Sequence, residues 1–225
     1  MKLILLPGLG ADKRLFCKQQ SHFPQLIIPD WLIPTQNEPL SQYASRFAGL
    51  INEDENFILG GVSFGGILAY EMTHFIRPSG LLLISVCLEH AEIQPYLRML
   101  APLNRFSILS YFVRIRLFGR SISGLFGANT RFQKKLFAEM LATADRRMLE
   151  WAPSAIMNWQ PKKITNIPLE RIHGSSDKIV SLNNSNKSLI VNGAGHLVNI
   201  THWKVVNRFI EEFIIKIAKG RLVTK

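Results

Sequence analysis

The sequence predicts an α/β protein in which a doubly wound, mostly parallel sheet of about six strands carries helices on both faces. Short apolar runs alternate with stretches of helical periodicity along most of the 225 residues, as parallel strands joined by helical crossovers do. The runs are apolar throughout, which is typical of strands buried on both faces. Glycine-rich turns that carry Ser63 and His196 follow two of these runs, and the ends of parallel strands are where sites assemble.

Six apolar runs are the predicted strands. The first, residues 3–6, is too short for the apolar part of a secretory leader and is followed by Pro7 and glycines rather than by a cleavage site. The other five are closed by glycine, proline or polar residues. They are residues 26–28, 57–62, 80–86, 167–172 and 188–192.

Helices are predicted between the strands. Asp12 is placed to cap a helix that runs to about Gln20. Apolar residues at helical spacing predict three more helices. They cover residues 40–52, 64–75 and about 197–219.

The region from 89 to 161 has no convincing strand pattern, although 130–151 is clearly helical in its spacing. We therefore predict a core formed by residues 1–88 and 162–225. Residues 89–161 would be inserted in that core as a helical lid.

Composition narrows the class of protein. Hydrophobic residues make up 47% of the chain and charged residues 19%, as in globular domains rather than disordered chains. Two cysteines, Cys17 and Cys87, provide neither a disulfide framework nor a metal-ligand spacing. No apolar stretch reaches the roughly 18 residues of a membrane span. We therefore expect a cytoplasmic protein with no cofactor, no metal and no transmembrane segment.

The net charge of +11 is unevenly distributed. Residues 98–163 hold twelve basic and three acidic side chains, so that this segment is +9 and the rest +2. Three interpretations stay open: a solvated outer face, recognition of an anionic or carrier-bound acyl substrate, and peripheral contact with an acidic membrane. We expect no nucleic-acid partner, because no recognition motif accompanies the charge. The sequence does not predict the oligomeric state.

The strongest motif is Gly61-Val62-Ser63-Phe64-Gly65, which lies between a predicted strand and a predicted helix. A serine at such a turn adopts a strained backbone and presents its hydroxyl above the edge of the sheet. The flanking glycines are needed because the strand and the helix pass too close for side chains. Ser63 is therefore the predicted nucleophile.

A serine nucleophile needs a base, normally a histidine that a carboxylate orients. Among the six histidines, only His196 follows a strand directly through a flexible glycine turn. Asp177 follows the fifth strand and is the predicted carboxylate, with Glu89, after the fourth strand, as the alternative. His173 also ends a strand, but we expect it to be buried or hydrogen-bonded in a structural role.

Acyl chemistry also needs two donors for the developing oxyanion. The backbone N–H that follows the nucleophile belongs to Phe64, and the loop after the first strand supplies the other. In that loop Leu9 lies between Gly8 and Gly10. We predict the Leu9 and Phe64 N–H groups as the oxyanion hole. The glycines do not form a phosphate-binding fingerprint.

The chain resembles the α/β-hydrolase family over nearly its whole length. The resemblance rests on Pro7-Gly8-Leu9-Gly10, Gly61-Val62-Ser63-Phe64-Gly65, Gly174-Ser175-Ser176-Asp177-Lys178-Ile179-Val180 and Gly193-Ala194-Gly195-His196. It implies an eight-stranded sheet that here lacks its first two strands, with the remaining six in the order 2-1-3-4-5-6. It also implies a helical lid over 89–161. The histidine that usually precedes the oxyanion glycine is replaced by Pro7.

Together these features predict a serine hydrolase that cleaves esters of small or medium acyl groups through an acyl-enzyme, with Ser63 as nucleophile, His196 as base and Asp177 as acid. Thioester hydrolysis, C–C bond hydrolysis and acyl transfer use the same residues and remain alternatives. A non-catalytic binding protein of the same fold is the alternative from another class. Such proteins typically lose a catalytic residue, whereas this chain retains all of them.

Overall fold

The computed structural model describes residues 1–52, 55–95, 122–181 and 188–220. Within them six strands form one sheet: β1 (Lys2–Leu6), β2 (Leu26–Ile27), β3 (Phe57–Val62), β4 (Gly80–Ile84), β5 (Leu169–Gly174) and β6 (Ser188–Val191). Every neighbouring pair is parallel. The strands lie in the order β2-β1-β3-β4-β5-β6, which confirms the predicted order. The loop after β1 and the turn after β3 therefore leave neighbouring strands at the same edge of the sheet.

The described helices lie in the predicted regions, and all but one stay within the predicted bounds; the exception continues past the predicted end at 151 to Asn158. They are α1 (Cys17–Gln20), α2 (Leu40–Ala48), α3 (Phe64–Met72), α4 (Arg131–Thr143), α5 (Arg146–Asn158), α6 (Val198–Thr201) and α7 (Trp203–Ala218), with 3-10 turns at Lys13–Phe16 and His90–Glu92. The predicted cap at the first 3-10 turn is present, because the Asp12 side chain accepts a hydrogen bond from the Arg14 N–H at 2.9 Å.

Two helices predicted as continuous are each divided. The 130–151 helix ends at Thr143, and Ala144 and Asp145 adopt extended backbone. The Asp145 carboxylate then accepts from the Arg147 N–H at 2.8 Å and caps α5. The final helix is interrupted at His202, whose φ of −123° is not helical. Apolar spacing continues across both breaks, so periodicity alone did not reveal them.

Alternate strand residues feed two separate apolar layers, as the period of a strand requires. Ile4 and Leu6 of β1 face the layer that holds α2 and α3. Leu3 and Leu5 face the opposite layer, which holds α7. The sheet is therefore covered on both faces, which explains why its strands are apolar throughout.

The described part of the predicted lid packs directly on the sheet layers. Met140 of α4 lies in the layer that holds α7, and Met148 and Ala152 of α5 lie in the layer that holds α3. Residues 96–121 of the predicted lid lie outside the described residues. The division into core and lid remains a prediction.

Candidate active site

Ser63 occupies a sharp turn between β3 and α3, with φ 53° and ψ −121°. Its N–H still continues the sheet by donating to the Ile84 carbonyl at 2.9 Å. A Cβ on Gly61 would lie 2.4 Å from the Gly65 carbonyl carbon, and a Cβ on Gly65 would lie 2.2 Å from the Pro7 carbonyl oxygen. Such distances are shorter than packed atoms allow, so both positions require glycine. The close approach inferred from the motif is present.

Asp177 and His196 meet below the surface. The Asp177 Oδ2 atom lies 2.8 Å from His196 Nδ1, and the two side chains are 0% and 3% exposed. Asp177 Oδ1 accepts two further hydrogen bonds, from the backbone N–H groups of Ile179 at 2.7 Å and Val180 at 3.0 Å. Both carboxylate oxygens are therefore held in fixed directions.

The charge of Asp177 determines which nitrogen of His196 carries the proton. Burial alone would raise the pKa of Asp177, but the neighbouring His196 and the hydrogen bonds it receives from His196, Val180 and Ile179 bring that pKa below its usual 3.8. The group is thus a carboxylate at neutral pH and can only accept, so His196 Nδ1–H donates. In the neutral ring Nε2 then carries the lone pair. This buried nitrogen has no hydrogen-bond partner among the described residues.

Phe126, from the predicted lid region, helps to fix the histidine turn. Its ring lies 5.7 Å from the His196 ring, and its carbonyl oxygen accepts from the Leu197 N–H at 2.9 Å. The next residue, Gly127, passes so close to Gly195 that a Cβ on it would lie 2.8 Å from the Gly195 Cα. Sequence reasoning missed Phe126, because nothing in the pattern of its segment distinguishes it from the other aromatic residues there.

The loop after β1 runs beside Ser63. A Cβ on Gly8 would lie 3.6 Å from the Ser63 Cβ, and the Gly8 carbonyl closes a turn by accepting from the Ala11 N–H at 3.0 Å. Neither the Leu9 N–H nor the Phe64 N–H donates a hydrogen bond within the part of the chain that the structure describes. Two free backbone donors on adjacent segments are what an oxyanion hole needs.

The Phe64 ring is fixed by two tryptophans that sequence reasoning did not select. Its centroid lies 5.5 Å from the ring of Trp31 and 5.9 Å from that of Trp151. The Trp31 Nε1–H donates to the Ala11 carbonyl at 3.0 Å, which also ties this cluster to the loop after β1. The aromatic cluster therefore packs on Phe64, which carries one predicted oxyanion donor, and is bonded to the loop that carries the other, Leu9.

The structure does not bring every predicted residue into contact. No hydrogen bond joins Ser63 Oγ to His196 Nε2, although such contacts are often made only when substrate is bound. Glu89, the alternative acid, is exposed, and the nitrogen it would orient is already bonded to Asp177. His173 is fully buried, and neither ring nitrogen has a hydrogen-bond partner among the described residues.

In the described part of the basic segment 98–163, acidic side chains of the same segment neutralise some of the positive charge. Three of its exposed cations form ion pairs, Lys135 with Glu139, Arg146 with Glu150 and Arg147 with Asp145. Exposed pairs of this kind contribute little to stability but reduce the local charge. Five of the twelve basic residues, Arg98, Arg105, Arg114, Arg116 and Arg120, lie outside the described residues.

Within the described ranges, no group of three histidine, cysteine or carboxylate side chains is arranged to hold a metal ion. None of the described helices combines the length and the apolar character needed to cross a membrane.

Comparison with known proteins identifies the family. The model of the alpha/beta hydrolase family matches residues 3–209. The chain therefore belongs to the alpha/beta hydrolase family, and it is a hydrolase. A search of curated protein sequences found no match.

Solved structures share the fold at low sequence identity. A thermophilic esterase from Thermogutta terrifontis is 16% identical with a TM-score of 0.75, over 96% of this chain and 90% of that one. An esterase from Exiguobacterium antarcticum is 14% identical with a TM-score of 0.74, over 95% and 92%. A bromoperoxidase from Bacillus anthracis is 18% identical with a TM-score of 0.72, over 95% and 91%. Likeness at this level extends to the fold alone.

Proposed function

We propose that the protein hydrolyses carboxylic esters of small or medium acyl groups through a covalent acyl-enzyme on Ser63. The observation that carries the proposal is the 2.8 Å contact between Asp177 Oδ2 and His196 Nδ1. It supplies an oriented imidazole whose Nε2 is free to accept a proton. The strained turn at Ser63 presents the hydroxyl group that would give up this proton.

In the acylation step Ser63 Oγ attacks the ester carbonyl carbon while His196 Nε2 takes the hydroxyl proton. The carbonyl oxygen becomes an oxyanion, which the Leu9 and Phe64 N–H groups stabilise. The tetrahedral intermediate then collapses, the C–O bond to the alcohol breaks, and His196 returns the proton to the leaving oxygen. Asp177 stays ionised and stabilises the transient imidazolium.

In the deacylation step a water molecule replaces the alcohol. His196 Nε2 removes a proton from this water, which attacks the acyl carbon, and the proton passes to Ser63 Oγ as the bond to the serine breaks. The products are a carboxylic acid and the original enzyme. The alpha/beta hydrolase fold hosts several reactions with these residues, so acyl transfer, thioesters and C–C bonds are the alternatives that a substrate screen separates.

The test is a screen of p-nitrophenyl esters of increasing acyl length, run with wild type, Ser63→Ala and Ser85→Ala. Ser85 is a matched control, because it also has a positive φ, 52°, and lies at the end of the neighbouring strand β4. We expect hydrolysis by wild type and Ser85→Ala and a loss of nearly all activity in Ser63→Ala. Full activity in folded Ser63→Ala would reject the proposal.

A further inference from the structure

A buried ion pair lies next to the acid loop, the segment 175–181 that follows β5 and carries Asp177. Arg171, on β5, donates from Nη1 to Glu92 Oε1 at 3.1 Å and from Nη2 to Glu92 Oε2 at 2.9 Å. The same Nη2 donates to the Val86 carbonyl at 2.7 Å. The two side chains are only 9% and 5% exposed. This two-point geometry fixes Glu92 both in position and in orientation.

Glu92 in turn fixes two segments of backbone. Its Oε2 accepts a hydrogen bond from the Leu88 N–H at 2.6 Å, and this bond holds the turn that the chain makes after β4. Its own carbonyl oxygen accepts from the Ser181 N–H, in the loop that follows Asp177. Glu92 thus connects the end of β4 and strand β5 through its side chain, and the acid loop through its backbone carbonyl.

The connection to the acid loop continues through the residues next to Glu92. Ile93 forms an antiparallel bridge with Val180, and the Gln94 N–H donates to the Ile179 carbonyl at 3.1 Å. Ile179 and Val180 are the residues whose N–H groups hold Asp177 Oδ1. Hydrogen bonds, joined by the backbone of residues 92–94 and 179–181, therefore connect the Arg171 guanidinium to the Asp177 carboxylate.

We propose that Glu92 and Arg171 are positioning residues that set the direction of the Asp177 carboxylate toward His196. The role rests on the proposed function, since it matters to catalysis only if Asp177 and His196 act together. Neither residue touches the reacting atoms. Both act through the backbone of Ile179 and Val180.

Replacing Glu92 by glutamine should be enough to disrupt its pairing with Arg171. Both Glu92 oxygens accept hydrogen bonds, and a glutamine would turn an N–H₂ group toward one of these donors. It would also leave the Arg171 charge buried without its counter-ion, which is unfavourable in a low-dielectric interior. We expect the 88–95 segment to shift and Asp177 to lose its fixed direction.

The test compares Glu92→Gln with Glu170→Gln. Glu170 is a matched control, because it precedes Arg171 on β5 and its carboxylate pairs with Lys216 at 2.7 Å, away from the acid loop. Active sites are titrated with a fluorophosphonate, so that kcat is expressed per competent site. The downfield ¹H NMR signal of the His196 Nδ1 proton, assigned by its loss in His196→Gln, reports the bond to Asp177 directly.

In Glu92→Gln we expect kcat per site to fall about 10- to 100-fold, as misplacement of about 1 Å does in enzymes. We expect little change in KM and a weakened or shifted Nδ1 signal. Glu170→Gln should have the kcat per site, the KM and the Nδ1 signal of the wild type. A wild-type kcat per site and an unchanged Nδ1 signal in Glu92→Gln would overturn the proposal, even if the melting temperature falls, because the pair would then be purely structural.

A second variant tests the proposal if Glu92→Gln folds poorly. Glu92→Leu with Arg171→Met replaces the pair by apolar groups, a change that buried pairs often tolerate. It should also lower kcat per site and disturb the Nδ1 signal, and a wild-type result for both would overturn the proposal. If the wild-type protein hydrolyses no ester, the proposed function fails, and the Nδ1 signal alone still decides whether Glu92 positions Asp177.

Discussion

Asp177 and His196 are joined by a 2.8 Å hydrogen bond between two loops that leave neighbouring parallel strands, β5 and β6. The residues are 19 positions apart in sequence. They meet because parallel strands end at the same edge of a sheet and because Gly174 allows the two loops to touch. A Cβ on Gly174 would lie 2.2 Å from the Ala194 carbonyl oxygen. The contact is therefore a direct result of strand order and glycine placement.

Asp177→Asn should lower kcat on the order of 10⁴-fold, the loss seen for the same change in serine-protease triads. The asparagine amide would donate toward His196 Nδ1 and favour the tautomer that carries its proton on Nε2, which cannot accept from Ser63. Steady-state kinetics on the best ester from the screen would measure this. Glu89→Gln, at the exposed alternative carboxylate, should leave kcat unchanged, and a larger loss there would move the acid to Glu89.

Gly65→Ala should lower the free energy of unfolding by about 1–3 kcal/mol, since overpacking against rigid atoms costs that much. The added Cβ would lie 2.2 Å and 2.3 Å from the carbonyl oxygens of Pro7 and Leu6, which are backbone atoms at the end of β1 and the start of the loop after it. Urea denaturation would measure the loss. Because that loop carries Leu9, we also expect kcat to fall.

Gly124→Ala is the matched control for the turn glycine. A Cβ at Gly124 meets no heavy atom within 4 Å, so stability should change by no more than about 0.5 kcal/mol. Equal losses in the two variants would contradict the role assigned to the close crossing at Gly65.

His173 should make the protein less stable as the pH falls from 6.5 toward 4. Burial, and then the charge of Arg171, lower the pKa of His173 from 6.5 to about 4. Between these values the unfolded chain binds a proton that the folded chain does not, so the stability present above pH 6.5 is progressively lost on acidification. The shift corresponds to about 3 kcal/mol.

Unfolding free energies at several pH values would test this for wild type and His173→Leu. The leucine variant should lose less stability over the same interval, because it has no buried imidazole to protonate. His74→Gln, at an exposed position, controls for the removal of a histidine. Parallel curves for wild type and His173→Leu would show that the buried ring does not cause the acid sensitivity.

The sequence predicted the sheet well, because strands buried on both faces appear as uninterrupted apolar runs. The observed β3 has the predicted bounds, 57–62. The Ser63 turn could also be predicted, since the glycines that it requires for steric reasons at positions 61 and 65 form a recognisable sequence pattern. The strand order came from resemblance to a family rather than from the runs themselves.

What the sequence could not predict depends on contacts between distant segments. Glu92 and Arg171 are 79 positions apart, and neither lies in a recognisable motif. The support that Phe126 gives to His196 depends on how the inserted helices fold back. Which of Asp177 and Glu89 contacts His196 also could not be predicted from the sequence, because both residues follow strands that end at the same edge.

Labelling with a fluorophosphonate tests the central claim most directly, because the reagent reacts with an activated serine and not with an ordinary one. The labelled protein would be digested and the modified residue located by mass spectrometry. We predict one modification, on Ser63, that is absent in Ser63→Ala and strongly slowed in His196→Gln, while Ser85→Ala labels as wild type. No labelling of the folded wild-type protein, or labelling at Ser63 that does not depend on His196, would contradict the account.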